Sequence, residues 1–209
     1  NTVWPRSLTE EYGPFEGNHG VGSSPRLTAK GLVVLAAHAG PSYLLCVDRA
    51  TGKNRWKTDR ESKTAWTTPT ILRHRGQEQI LLSVNGELAA YEAESGEPLW
   101  RLDGLKGNTL SSASVAGDRV VVGSSEKGHL RAFALPESGG GAPRELWTAA
   151  NATCYFGSPL LHQGRVWMVG KVGIGWCLDL ASGKELWNER LAGECWASPV
   201  GTRDHIYLF

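Results

Sequence analysis

The chain has 209 residues, enough to bury a sizeable core. Its 22 Lys and Arg against 21 Asp and Glu leave a formal charge of +1, which argues against nucleic acid or a membrane surface held by bulk charge. No apolar run approaches the length of a bilayer-spanning helix, so no direct membrane span is expected in this segment. The 26 Gly and 10 Pro suit many tight turns between short strands, and nine Trp is a high count.

Residues 1–22 follow no repeat and read as a lead-in, with Trp4-Pro5 near its start and Asn18-His19 near its end. From Ser23 onward two landmarks recur. One is a small-small-Pro step, Ser23-Ser24-Pro25, Thr67-Thr68-Pro69, Ser158-Pro159 and Ser198-Pro199, with Ser111-Ser112-Ala113 as the version without Pro. The other is an apolar run, an acid, a Gly turn and a closing Trp: CVDRATGKNRW at 46–56, AYEAESGEPLW at 90–100, AFALPESGGGAPRELW at 132–147 and CLDLASGKELW at 177–187. The closing residues Trp56, Trp100, Trp147 and Trp187 stand 44, 47 and 40 residues apart, and the Pro/Ala landmarks keep nearly the same period. Two independent landmarks at one period mark a repeat architecture.

Each repeat holds four short strands. In the second, the pattern predicts strands near 68–72, 79–83, 88–91 and 98–101, with turns at 74–78, at Asn85-Gly86 and at Ser95-Gly96. No stretch shows a sustained helical period. The expected fold is therefore all-β: a β-propeller of four-stranded antiparallel blades. The blades fall at about 23–65, 66–108, 109–155 and 156–194, with a partial fifth at 195–209. Closed rings of this kind need roughly six to eight blades, so the chain reads as a fragment of such a ring.

The repeated residues have structural roles in this reading. Trp56, Trp100, Trp147 and Trp187 wedge between neighbouring blades. Asp48, Glu92 and Asp179 cap the turns that Gly52, Gly96 and Gly183 make. The third copy lacks the acid and carries five extra residues, expected as a flexible outer loop at 136–143. Cys46 and Cys177 share one repeat position with Ala90 and Ala132 and read as small buried fillers. Cys154 and Cys195 lie in corresponding connections, either as free thiols or as a disulfide. The six His are dispersed, and solvated turn positions are the expectation for most of them.

The motif acid-x-x-Thr/Ser-Gly-Lys-x-x-Trp resembles the blade signature of the pyrroloquinoline-quinone-like (PQQ-like) β-propellers. It is carried by Asp48, Thr51, Gly52, Lys53 and Trp56, and by Asp179, Ser182, Gly183, Lys184 and Trp187. The copy at Glu92, Ser95, Gly96, Glu97 and Trp100 departs at the acid and the Lys. The resemblance is greatest to uncharacterised bacterial repeat proteins of this type and extends to assembly factors of the BamB type. It implies a non-catalytic binding or protein-interaction scaffold, periplasmic or otherwise extracytoplasmic. The alternative it implies is part of a PQQ-dependent quinoprotein alcohol or sugar dehydrogenase, with PQQ and calcium as cofactors. Those enzymes use an adjacent Cys pair and a carboxylate/Asn metal group; no two Cys here are adjacent. No catalytic residue, metal ligand or cofactor is expected.

Partner binding is expected at one mouth of the channel, where the blade-to-blade connections gather. The position three before each Pro or Ala landmark is Gly22, Trp66, Leu110, Phe156 and Trp196. Trp66, Phe156 and Trp196, with Tyr155, Asn108 and His19 nearby, form the expected docking surface for a protein or peptide.

Overall fold

The computed structural model describes residues 2–137 and 141–209. Four four-stranded antiparallel sheets follow one another, each in simple up-and-down order. The first holds β1 (Arg26–Leu27), β2 (Leu32–Ala36), β3 (Ser42–Val47) and β4 (Asn54–Arg60). The second holds β5 (Thr70–His74), β6 (Gln77–Val84), β7 (Glu87–Glu92) and β8 (Pro98–Asp103). In the third are β9 (Ser114–Ala116), β10 (Arg119–Val122), β11 (Leu130–Ala134) and β12 (Arg144–Ala149), and in the fourth β13 (Leu160–His162), β14 (Arg165–Val169), β15 (Ile174–Asp179) and β16 (Glu185–Arg190). A hairpin of β17 (Val200–Gly201) and β18 (Ile206–Tyr207) begins a fifth. The first strands β1, β5, β9, β13 and β17 neighbour one another in turn, as blades around an axis require. The expected loop at 136–143 lies partly outside the described residues.

The closing Trp owes its position to register. Cys46 pairs with Trp56, Ala90 with Trp100, Ala132 with Trp147 and Cys177 with Trp187. A bulge follows each pair, so the outer strand gains one residue and turns its indole across the sheet. A small residue opposite leaves room for it, which accounts for Cys or Ala standing there in every blade.

The indoles of Trp56 and Trp147 then reach the turn of the next blade. Trp56 Nε1 donates to the Ala93 carbonyl at 3.3 Å, and Trp147 Nε1 to the Leu180 carbonyl at 3.0 Å. Both rings lie flat against the neighbour's turn glycine: a Cβ on Gly96 would come within 2.4 Å of Trp56, and one on Gly183 within 2.5 Å of Trp147. With φ of +76° and +71°, these positions exclude a side chain twice over, by space and by backbone. The acid holds the same turn. Asp48 Oδ1 accepts the N–H groups of Ala50 and Thr51 at 3.0 Å, and Asp179 Oδ1 that of Ser182 at 2.8 Å.

The core is a series of apolar layers between sheets. Leu44 and Cys46 of blade 1 meet Ile80, Leu82 and Ala89 of blade 2. Leu81 and Ala90 of blade 2 meet Val120 and Phe133 of blade 3, and Val121 and Ala132 of blade 3 meet Val166, Met168 and Leu178 of blade 4.

The N-terminal segment supplies one more layer. Trp4, Leu8, Tyr12 and Phe15 pack on Ala36, Tyr43, Leu45 and Val47, the face of blade 1 that has no sheet against it. The short helix α1 (Leu8–Tyr12), capped by the Ser7 side chain, carries two of these residues. Trp4, which the periodicity leaves outside the repeats, makes the repeat's contact. Its Nε1 donates to the Arg49 carbonyl at 2.8 Å, and a Cβ on Gly52 would come within 2.6 Å of its ring. Arg49, Ala93 and Leu180 occupy the same place in their blades, one residue after the acid. Trp4 therefore stands where the Trp of a preceding blade would stand.

Candidate functional site

The blade-to-blade connections are tied together by the residue before each Pro or Ala landmark. The Ser24 N–H donates to Thr68 Oγ1 at 3.1 Å, and the Thr68 N–H to Ser112 Oγ at 2.9 Å. The Ser112 N–H then donates to Ser158 Oγ at 3.0 Å, and the Ser158 N–H to Ser198 Oγ at 2.8 Å. One hydroxyl per blade thus receives the N–H of the blade before, a ladder running around the axis. The ladder explains why this position is always Ser or Thr, and it fixes the connection in which each aromatic residue sits two positions earlier.

The expected docking residues gather in two pairs along this ladder. His19 and Trp66 lie with ring centroids 5.8 Å apart, and a Cβ on Gly22 would come within 2.8 Å of the Trp66 ring. Phe156 and Trp196 stack at 3.9 Å and 9° between planes, with Tyr155 edge-on to Phe156 at 4.7 Å. Lys171, from the turn between β14 and β15, sets its ammonium 5.2 Å from the Tyr155 ring centre and 5.8 Å from that of Phe156. Trp196 is 60% exposed, so one face of its indole is open to solvent. The set can offer flat π surfaces and a single positive charge to an incoming chain.

Asn108 does not join this surface. It is fully buried, and its amide is spent inside the protein. The Nδ2 group donates to Ser83 Oγ and to the carbonyls of Val84 and Glu87, each at 3.1 Å, while Oδ1 accepts the Gly86 N–H at 2.9 Å. Asn108 braces the turn between β6 and β7 and has no group left for a partner.

The cysteines settle an open alternative, and one histidine departs from expectation. All four Cys are free and buried, so Cys154 and Cys195 form no bridge. Cys154 lies 3.5 Å from Ser111 Oγ, and burial pushes its thiol up to about 11. His38 is 2% exposed rather than solvated, because the N-terminal segment folds over it. Nothing local in the sequence signals this, since Glu16, its cover, lies 22 residues upstream.

Among the described residues no group of three or more His, Cys, Asp or Glu side chains gathers to hold a metal ion. Asp48 and Asp179 face their own turns, and the Cys are separate and buried. These residues do not fit the donor set that PQQ with calcium would need. No described helix is long and apolar enough to cross a membrane.

The family model described as outer membrane protein assembly factor BamB matches residues 1–208. Among solved structures, the chain is similar to BamB from Moraxella catarrhalis at 21% identity and a TM-score of 0.60, over 88% of this chain and 53% of that one. It is similar to a europium-containing methanol dehydrogenase at 12% identity and a TM-score of 0.60, over 86% of this chain and 47% of that one. It is similar also to the computationally designed Ika8 protein at 13% identity and a TM-score of 0.59, over 88% and 54% of the two chains. The chain spans about half the length of these structures. No curated protein matches it.

Proposed function

The chain belongs to this family of PQQ-like β-propellers, and from that premise we propose that it is a non-catalytic scaffold that binds proteins or peptides outside the cytoplasm. The observation that carries the reading is the aromatic set at the blade connections, above all the stacked pair Phe156 and Trp196 under Lys171. These side chains hang on a ladder of hydrogen bonds, so they are held in place before a partner arrives. The family description names an assembly factor for outer membrane proteins, which supports an extracytoplasmic place of work and protein partners.

The test uses the full-length protein and a displayed library of extended peptides. Selected peptides are expected to bind at least about tenfold more weakly to a Trp66→Ala, Trp196→Ala double variant, with the melting temperature nearly unchanged. Unchanged affinity, or a large fall in melting temperature, overturns the reading. The dehydrogenase alternative rests on a shared fold, which does not carry chemistry. Added PQQ and calcium are expected to give no spectral change and no dye-linked alcohol oxidation in the full-length protein.

A further inference from the structure

One buried titratable group is left without a role in the scaffold. His38 lies just beyond β2, and its Nδ1 accepts two backbone N–H groups, those of Glu16 and Gly40, each at 3.1 Å. Both partners can only donate, so Nδ1 holds a lone pair and the ring proton sits on Nε2. The Ala39 N–H donates to the Glu16 carbonyl at 3.1 Å and completes a short clasp. Phe15 meets the imidazole edge-on at 5.3 Å. Space is tight: a Cβ on Gly40 would lie 2.7 Å from Glu16 Oε1 and 3.0 Å from His38 Cε1. The clasp anchors the end of the segment that covers Ala36, Tyr43, Leu45 and Val47.

We propose that His38 is an acid-sensitive latch that holds residues 4–16 over the outward face of blade 1. A proton arriving from solvent at Nδ1 turns an acceptor into a donor that faces two donors. Both bonds are then lost, and the segment loosens from the sheet. Histidine is the side chain that ordinarily changes charge between about pH 5 and 8.

The surrounding groups fit this assignment. The Glu16 carboxylate stands beside Gly40, as does the edge of the imidazole. On β3, burial pushes the Tyr43 phenol up to about 12, so it stays neutral. Lys63, in the neighbouring connection, is engaged with Glu61 at 3.3 Å and Glu87 at 3.4 Å, and His19 lies against Trp66. Within the segment, Arg6 holds the Glu11 carboxyl below its usual range. That pair therefore persists as the pH falls and is not the trigger.

Hydrogen exchange on the full-length protein, with rates corrected for the intrinsic pH effect, reads the latch. Amide protection across 8–16 is expected to fall about tenfold between about pH 7.5 and pH 5, while β6 and β7 keep theirs. His38→Asn supplies an oxygen acceptor that does not titrate, and its segment is expected to stay protected at both pH values. Glu16→Gln is expected to open in acid as the parent does. Nitrogen chemical shifts of the His38 ring, followed in the unmodified protein, are expected to move from the Nε2–H tautomer to imidazolium in step with the loss of protection. Equal protection at both pH values, or a ring that stays neutral while the segment opens, overturns the proposal. So does a pH response that survives His38→Asn and vanishes in Glu16→Gln.

Discussion

Trp147 and Trp187 leave their sheets from the same register position, each opposite a small residue and each directly preceded by the bulge residue of its strand. Trp147 is 8% exposed; Trp187 is 36% exposed, and every residue of its strand β16 is exposed. The sheets are alike. What differs is the neighbour: Trp147 has the Gly183 turn and the Leu180 carbonyl, and no described turn stands in that place for Trp187. The closing Trp is thus half of a contact, and its value depends on a glycine turn in the next repeat.

Truncation should expose the difference most strongly. Trp147→Ala is expected to lower stability by about 3–5 kcal/mol, because it empties a packed layer. Trp187→Ala should cost below about 1 kcal/mol in the same chain, since its site is largely open. Denaturant unfolding of the two variants checks the contrast, and equal losses would break it. Attacking the other half of the contact comes next. Gly183→Ala is expected to lose about 2–3 kcal/mol, from a strained left-handed backbone and from collision with Trp147. The Gly164→Ala control has no atom within 4 Å of its Cβ and should lose less.

Trp4→Ala extends the comparison to the N-terminal face. A loss of about 2 kcal/mol in chemical denaturation would place Trp4 between Trp147 and Trp187. The smallest effect concerns the turn acids. Arg55, then Thr51 and Ala50, hold the Asp48 carboxyl at about 2, below its ordinary 3.8. A lowered folded-state value means a contribution that is present above the ordinary value and fades as the pH falls from about 4 toward 2. Asp48→Asn should flatten the stability curve in that window alone, as melting temperatures across an acid series would record.

The blades were legible because they repeat: a period of about 44 residues, two landmarks and alternating apolar runs leave few other folds. The resemblance to the PQQ-like propellers adds the blade type, which the family match bears out. The landmark Ser and Thr residues were visible too, but their bond is to another repeat, and no local pattern reveals an acceptor 40 to 46 residues away. Separation along the chain, 45 residues to Arg49 and 22 to Glu16, likewise hid the role of Trp4 and the burial of His38. Asn108 was misplaced for a different reason. Its position in a connection suggested exposure, whereas a side-chain amide with four bonding positions can satisfy a buried turn outright.

The junctions of blade 1 with blade 2 and of blade 3 with blade 4 are each pinned near the axis by a hydroxyl and farther out by an indole on a glycine turn. Two pins at different radii leave a pair of sheets no freedom to swing, so they set the wedge angle between them. Curvature is then written into each such junction separately. A stack of such units bends along the same arc whether or not its ends ever meet, and the number of blades in a ring becomes the sum of local angles rather than a property imposed by closure.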